Sequence, residues 1–124
     1  MPEQSNQSFT ELQVWKKARA FKNEMFELAK TFPTEEKYRL ADQLVRASRS
    51  ITSNIAEGHG RYTWKDQIHF CIQARGSLSE CLNHLIDAYN LQLIEKEKLE
   101  NLKEKIDEIQ RLLNGYISFL RKSL

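Results

Sequence analysis

Four stretches of this chain repeat apolar residues at alternating intervals of three and four, and that spacing leaves few folds open. A helix turns once every ~3.6 residues, so each repeat draws one apolar stripe that must be buried against other helices. The first stripe is Val14, Ala18, Phe21, Met25, Leu28 and Phe32. The second is Leu40, Leu44, Ala47, Ile51 and Ile55, flanked by Tyr38, Ala41 and Val45. The third carries Trp64, Ile68, Cys71, Leu78, Leu82, Leu85 and Tyr89. The fourth carries Leu99, Leu102, Ile106, Ile109, Leu113, Tyr116 and Leu120. No stretch alternates apolar and polar residues as a half-buried strand does. The breaks between stripes are short, so successive helices are expected to run antiparallel. The predicted fold is all-α, an up-down-up-down antiparallel four-helix bundle.

Local signals place the boundaries. Thr10 and Gln13 form a capping-box pattern, so the first helix is predicted to start there. It is predicted to end at Phe32, because Pro33 disfavours helical backbone in the residue before it. Thr34, followed by Glu35 and Glu36, is the expected N-cap of the second helix. Thr63 and Asp66 cap the third, which should run to about residue 91. After a break over residues 91–94 the fourth begins near Glu95 and closes with Arg121 and Lys122 at its negative end. Residues 1–9 read as a polar, disordered tail, and 10–124 as one domain long enough for a real core.

Residues 46–61, RASRSITSNIAEGHGR, are unusual for a helix interior. Ser48, Ser50, Thr52, Ser53 and Asn54 have short polar side chains that compete for backbone groups and lower helix propensity. Such a run predicts a second helix lying close, with hydroxyls and an amide bonding across the contact, while Ile51 and Ile55 supply the apolar grip. Gly58 and Gly60 are expected to stop the helix in the left-handed conformation. The facing partner should be the small-residue patch of the third helix, Ala74, Gly76, Ser77 and Ser79. Ser50, Asn54, Glu57, Gly58 and Ser77 are thus the predicted packing motif, with Asn54 and Glu57 bonding across and Arg46 available to a carboxylate there.

Two surfaces stand out from an otherwise ordinary composition of 29% charged residues and a net charge of +2. Arg39, Arg46 and Arg49, with Arg61 and Lys65 around the following turn, form a basic edge and are the candidate nucleic-acid-binding residues, since the arginine fork suits phosphate. Glu35, Glu36, Asp42 and Glu57 lie among them and can pair with them. Lys16, Lys17, Arg19 and Lys22 make a second basic stretch. Leu12, Trp15 and Phe26 fall on a flank of the first helix away from its stripe, and Phe70 and Ile72 sit either side of Cys71. These five are the candidate oligomer interface, because aligned apolar residues on a small protein's surface usually bind something.

Catalytic and metal chemistry find little support. Asp66 and His69 have di-metal bundle spacing, but no second such pair or supporting carboxylates appear. Cys81 and His84, beside Glu80, lack a second ligand pair at zinc spacing. We read Asp66 as a cap, Cys81 as a buried thiol, His84 as a partly exposed imidazole and His59 as solvated. No phosphate loop, dinucleotide fingerprint or serine-hydrolase elbow is present. No cofactor, metal site or catalytic residue is expected. Cys71 and Cys81, ten residues apart on one helix, are separated by roughly 15 Å of rise. That is beyond disulfide reach, and two reduced thiols with no visible leader or membrane span suggest the cytoplasm.

With these residues in view, the chain resembles the bacterial four-helix-bundle family named after proteins encoded in intervening sequences of 23S rRNA genes. The matching features are Glu11, Leu12, Trp15 and Ala18; Phe32-Pro33 followed by Glu36 and Tyr38; Gln43 and Arg46; Ser50-Ile51; Asn54-Ile55-Ala56-Glu57-Gly58 and Arg61; and Ala74, Ser77 and Glu80. They span about residues 9–120. The resemblance implies four antiparallel helices assembled as a homopentamer. A related branch, the accessory variability determinant of diversity-generating retroelements, is a basic pentameric barrel that binds a reverse transcriptase and nucleic acid, and this chain is less basic. The label "ribosomal protein" reflects only where the founding genes lie. The resulting expectation is a non-enzymatic homo-oligomer, a scaffold or accessory factor with RNA or DNA as candidate partner. The alternative is a protein-docking module with no nucleic-acid role.

Overall fold

The computed structural model describes residues 8–124. Four α-helices follow one another: α1 (Gln13–Ala29), α2 (Asp42–His59), α3 (Trp64–Asn90) and α4 (Lys96–Lys122). Each packs on its sequence neighbours, α2 against α3 most extensively, and α4 closes the ring against α1. Their cross-links run in opposite order along the chain. Lys17 pairs with Glu108, whereas Glu24, further along α1, pairs with Lys98 and Lys105, earlier on α4. α1 and α4 are therefore antiparallel, as are α2 and α3, where Ser50 meets Ser77 and the later Gly58 meets the earlier Phe70, and the bundle is up-down-up-down.

The stripes behave as the periodicity demands. Leu44, Ile51, Ile55, Leu78, Leu85, Leu102, Leu113 and Leu120 are fully buried, and every other stripe residue is buried or half-buried except Tyr38 and Tyr89. Ile117, assigned to no stripe, is also buried, one residue beyond half-buried Tyr116. Truncating one of the buried leucines to alanine costs about 2–5 kcal/mol.

The helix ends differ from expectation where local caps compete with packing. The Thr10–Gln13 capping box does not form. Instead Phe9–Glu11 make a 3-10 turn capped by Ser8, the Thr10 hydroxyl donates to Ser8 Oγ at 2.8 Å, and α1 begins at Gln13 without a side-chain cap. The predicted tail falls outside the described residues for 1–7, while Phe9 sets its ring edge-on to Trp15 at 5.2 Å. At its far end α1 stops at Ala29, and Thr31 and Phe32 continue as tight turns to Leu28 and Ala29 carbonyls. Thr34 is not an N-cap. The chain enters α2 through a 3-10 turn, Thr34–Glu36, and a wide π-helical turn, Lys37–Ala41, in which the Glu36 carboxylate accepts from Leu40 N at 3.4 Å. Thr63 caps α3 as predicted, accepting from Asp66 N at 3.1 Å.

Neither Gly58 nor Gly60 is left-handed, so helix termination is not what Gly58 is for. α2 runs through it to His59 and ends at Gly60. A Cβ built on Gly58 would sit 2.9 Å from Phe70 Cβ and 3.2 Å from the Gln67 carbonyl oxygen. Gly58 is where the backbones of α2 and α3 come closest to needing a missing side chain. Gly76, predicted to be such a contact, is exposed with nothing within 4 Å of its would-be Cβ.

Candidate nucleic-acid interface and the helix contact beneath it

The polar run of α2 does meet α3, through fewer residues than its composition suggests. Ser77 Oγ on α3 lies 2.8 Å from Ser50 Oγ on α2, the one hydroxyl pair spanning the contact among the described residues. Asn54 does not cross. Its amide donates to Ser50 O at 2.8 Å and Ser50 Oγ at 3.0 Å, holding the serine that makes the crossing. Ser48 and Thr52 are buried but turn their hydroxyls back to the Val45 and Arg49 carbonyls, which satisfies them without a partner helix. Glu57 and Arg46 also stay within their own surface. Arg61 Nε holds Glu57 at 3.2 Å, and Arg46 Nε holds Asp42 at 2.9 Å.

Those two ion pairs divide the basic edge. Arg46 and Arg61 are half-neutralised by acids four residues earlier, and the Arg61 guanidinium also lies 4.7 Å over the Phe70 ring. Arg39, Arg49 and Lys65 are exposed and form no ion pair among the described residues. On α1, Lys17 is taken up by Glu108 and Arg19 lies 5.3 Å over Trp15. Exposed pairs of this kind contribute little stability and exchange readily for another anion.

The five candidate interface residues do not form one continuous patch. Leu12 and Trp15 are half-buried against the core, and Phe26 stays exposed in a groove shared with α2. Phe70 covers Gly58 under Arg61. Ile72, two residues on, is exposed on the other flank of α3.

Charge elsewhere closes the α1–α4 seam. Lys105 and Lys98 reach Glu24 at 2.7 and 3.2 Å. Partial burial alone would raise the Glu24 carboxyl, but hydrogen bonds and charge from the two lysines outweigh it and hold the group below its usual 4.5. Burial pushes Cys71 and Cys81 up to about 12, the Cys81 thiol further disfavoured by Glu80, so both are protonated and shielded at neutral pH. No group of three or more His, Cys, Asp or Glu side chains among the described residues could hold a metal. No helix there is long and apolar enough to cross a membrane.

Two histidines differ from the sequence reading. His84 is buried at 6% exposure, with neither ring nitrogen hydrogen-bonded and Nε2 3.6 Å from a Glu80 carboxylate oxygen. His59 is half-buried, with Nε2 enclosed and unpartnered. Gln67 was missed. It is 1% exposed and its amide donates to the Arg61 carbonyl at 3.0 Å, latching the turn between α2 and α3. A lone glutamine one step from a stripe position carries no signal that would have found it.

The chain's residues 10–115 match the family model described as 23S rRNA-intervening sequence protein. Among solved structures it is similar to a protein of unknown function from the S23 ribosomal protein family of Bacteroides thetaiotaomicron. That likeness has a TM-score of 0.78 at 25% identity, covering 85% of this chain and 95% of that one. No curated protein matches the chain closely enough to count as a relative.

Proposed function

The chain belongs to the 23S rRNA-intervening sequence protein family, and from that premise we propose a non-catalytic bundle that self-assembles and acts as a scaffold or accessory factor presenting basic surface to RNA or DNA. One observation carries the self-assembly. Ile72 and Ile86 remain 37% and 41% exposed although the core beneath them is complete. They are fourteen residues apart, two heptads, and so form one strip along α3 with Ser79 midway. Arg75, on the same side of α3, reaches Asn114 of α4 at 3.0 Å, so the strip borders the α3–α4 groove. A heptad strip beside a groove suits a helix from a second copy. Five copies at +2 each carry about +10, enough to turn weakly basic monomers into a strongly attractive ring for phosphate. The cations without ion-pair partners, Arg39, Arg49 and Lys65, support the nucleic-acid part.

Size-exclusion chromatography with light scattering, recording 260 and 280 nm absorbance on one peak, tests both parts. The expected mass is near five times 14.6 kDa, falling when Ile86→Glu places a charge in the strip. Salt-sensitive excess absorbance at 260 nm supports bound nucleic acid. A monomer with a protein-like spectrum overturns the self-assembly and leaves the exposed strip to a different protein.

A further inference from the structure

We propose that the groove between the end of α1 and the wide turn entering α2 binds single-stranded nucleic acid, with a base against Phe26 and phosphates on Lys30, Lys37 and Arg49. This rests on the nucleic-acid part of the proposed function and locates it. The groove measures about 530 Å³, within the range of sites that hold a nucleotide-sized ligand. Its buried lining is Ala29, Ala41 and Phe32, and the two alanines take up little of the space. The π-helical turn Lys37–Ala41 brings Ala41 and Lys37 to it, and such turns occur frequently at functional sites.

Its chemistry favours one class of occupant. The Phe26 ring is 42% exposed at the wall, with Lys30 Nζ 4.7 Å over it. Next to Lys37 on the turn, Tyr38 is 82% exposed, and the Lys37 ammonium lies 5.4 Å over its ring. Lys37 and Arg49 form no ion pair among the described residues, and Lys30 shares only an exposed pair with Glu27. The single acid lining the groove, Asp42, is already held by Arg46 at 2.9 Å. Three cations beside the exposed Phe26 ring at an apolar slot, with the Tyr38 ring outside the slot next to Lys37, are what unpaired bases on a phosphate backbone require. An acidic peptide offers the charge but presents an aromatic ring only where its sequence happens to hold one, whereas every nucleotide pairs a phosphate with a base. A duplex offers no free base to insert.

The test is fluorescence anisotropy of the full chain with a labelled oligouridine of about twenty nucleotides, longer than typical single-strand site sizes. Phe26→Ala and the pair Lys37→Glu/Arg49→Glu are each expected to weaken binding at least about tenfold, with unchanged far-UV circular dichroism. The charge-reversed pair should also flatten the salt dependence by about 1.4 in log–log slope, two single-strand phosphate contacts. If those variants bind like the parent while Arg39→Glu/Lys65→Glu abolishes binding, the groove is not the site, although the nucleic-acid reading survives. A parent protein that binds no oligonucleotide overturns both. Competition by polyglutamate as effective as by oligouridine, with Phe26→Ala neutral, reduces the groove to a charged surface and overturns the base contact. Loss of self-association in Phe26→Ala would make the face an interface between copies and likewise overturn the proposal.

Discussion

Alanine at the three glycines inside these helices should change stability with opposite signs, and the sign depends on one close approach. Replacing a helix-interior glycine by alanine is worth up to about 1 kcal/mol from backbone entropy alone. Gly76 and Gly115 have nothing within 4 Å of a new Cβ, so each substitution should realise most of that gain. At Gly58 the new methyl would meet Phe70 Cβ at 2.9 Å and the Gln67 carbonyl oxygen at 3.2 Å. Neither atom is the loose end of a side chain, so α2 and α3 would have to separate. Overpacking of this kind costs about 1–3 kcal/mol, and the separation also stretches the Ser50–Ser77 bond and the Gln67 latch. The net expectation is a loss of about 1 kcal/mol for Gly58→Ala against a gain of similar size for Gly76→Ala. For a chain of this length, that contrast is roughly 6–10 °C in melting temperature. Thermal melts followed by circular dichroism at pH 7 would measure it. A rise in Gly58→Ala comparable to that in Gly76→Ala would refute the reasoning, because it would mean the helix crossing has room to spare.

Other expectations follow from individual contacts. Because the Glu24 carboxyl is held below its usual 4.5, its contribution is full above that value and is lost as pH falls through the lower folded value. The parent protein should therefore lose stability below about pH 4.5 more steeply than Glu24→Gln, and parallel melting curves would count against the lysine clamp. Ser50→Ala and Ser77→Ala should each cost about 0.5–1.5 kcal/mol, with a coupling of at least about 0.5 kcal/mol in the double-mutant cycle; strict additivity would mean the hydroxyls do not hold the crossing. Asn54→Leu should lower or broaden the melt by removing the amide that orients Ser50, and an unchanged sharp transition would contradict that role. Cys71 and Cys81 should resist thiol reagents in the native protein at pH 8 and react in denaturant, whereas rapid native labelling would show that the bundle opens around them.

The fold was legible because a helical stripe is a global pattern that survives local error. Twenty or more apolar positions vote for the same four helices, and misplacing Thr10 or Thr34 as a cap shifts an end by a few residues only. The site was legible in part. Ser50, Asn54, Gly58 and Ser77 could be read as a close contact from their size and polarity. Which of them crosses could not, because a serine or asparagine in a helix can bond its own backbone as well as a neighbour, and Ser48, Thr52 and Asn54 all chose the former. Glycine carried the same ambiguity, since Gly58 and Gly76 differ only in what another helix places opposite them. The groove was invisible. It depends on the π turn and on two alanines, Ala29 at the end of α1 and Ala41 on that turn, lining one groove, neither of which leaves a local signature.

The square arrangement of the helices also decides which surfaces can serve together. The groove lies where α1 meets α2, while the Ile72–Ile86 strip lies where α3 meets α4. In a ring of four helices, those junctions are opposite faces. The isoleucine strip and the Phe26 groove therefore share no residues, and both roles can stand together if the strip docks on a face of the next copy other than the groove. The chemistry of the faces agrees with that division. The strip is apolar apart from Ser79, and the one cation beside it, Arg75, is already hydrogen-bonded to Asn114. The groove is rimmed by Lys30, Lys37 and Arg49, and burying it against the same groove of a second copy would bring like charges together with only Asp42 and Glu27 to offset them. Repulsion of that kind is tolerable when the occupant is an anion and costly when it is a second copy of the same basic face. The cations thus do more than attract phosphate. They disfavour a contact of groove against groove, and in the proposed ring, where each copy meets the next through two different faces, the strip of one copy would need a site on its neighbour away from this groove.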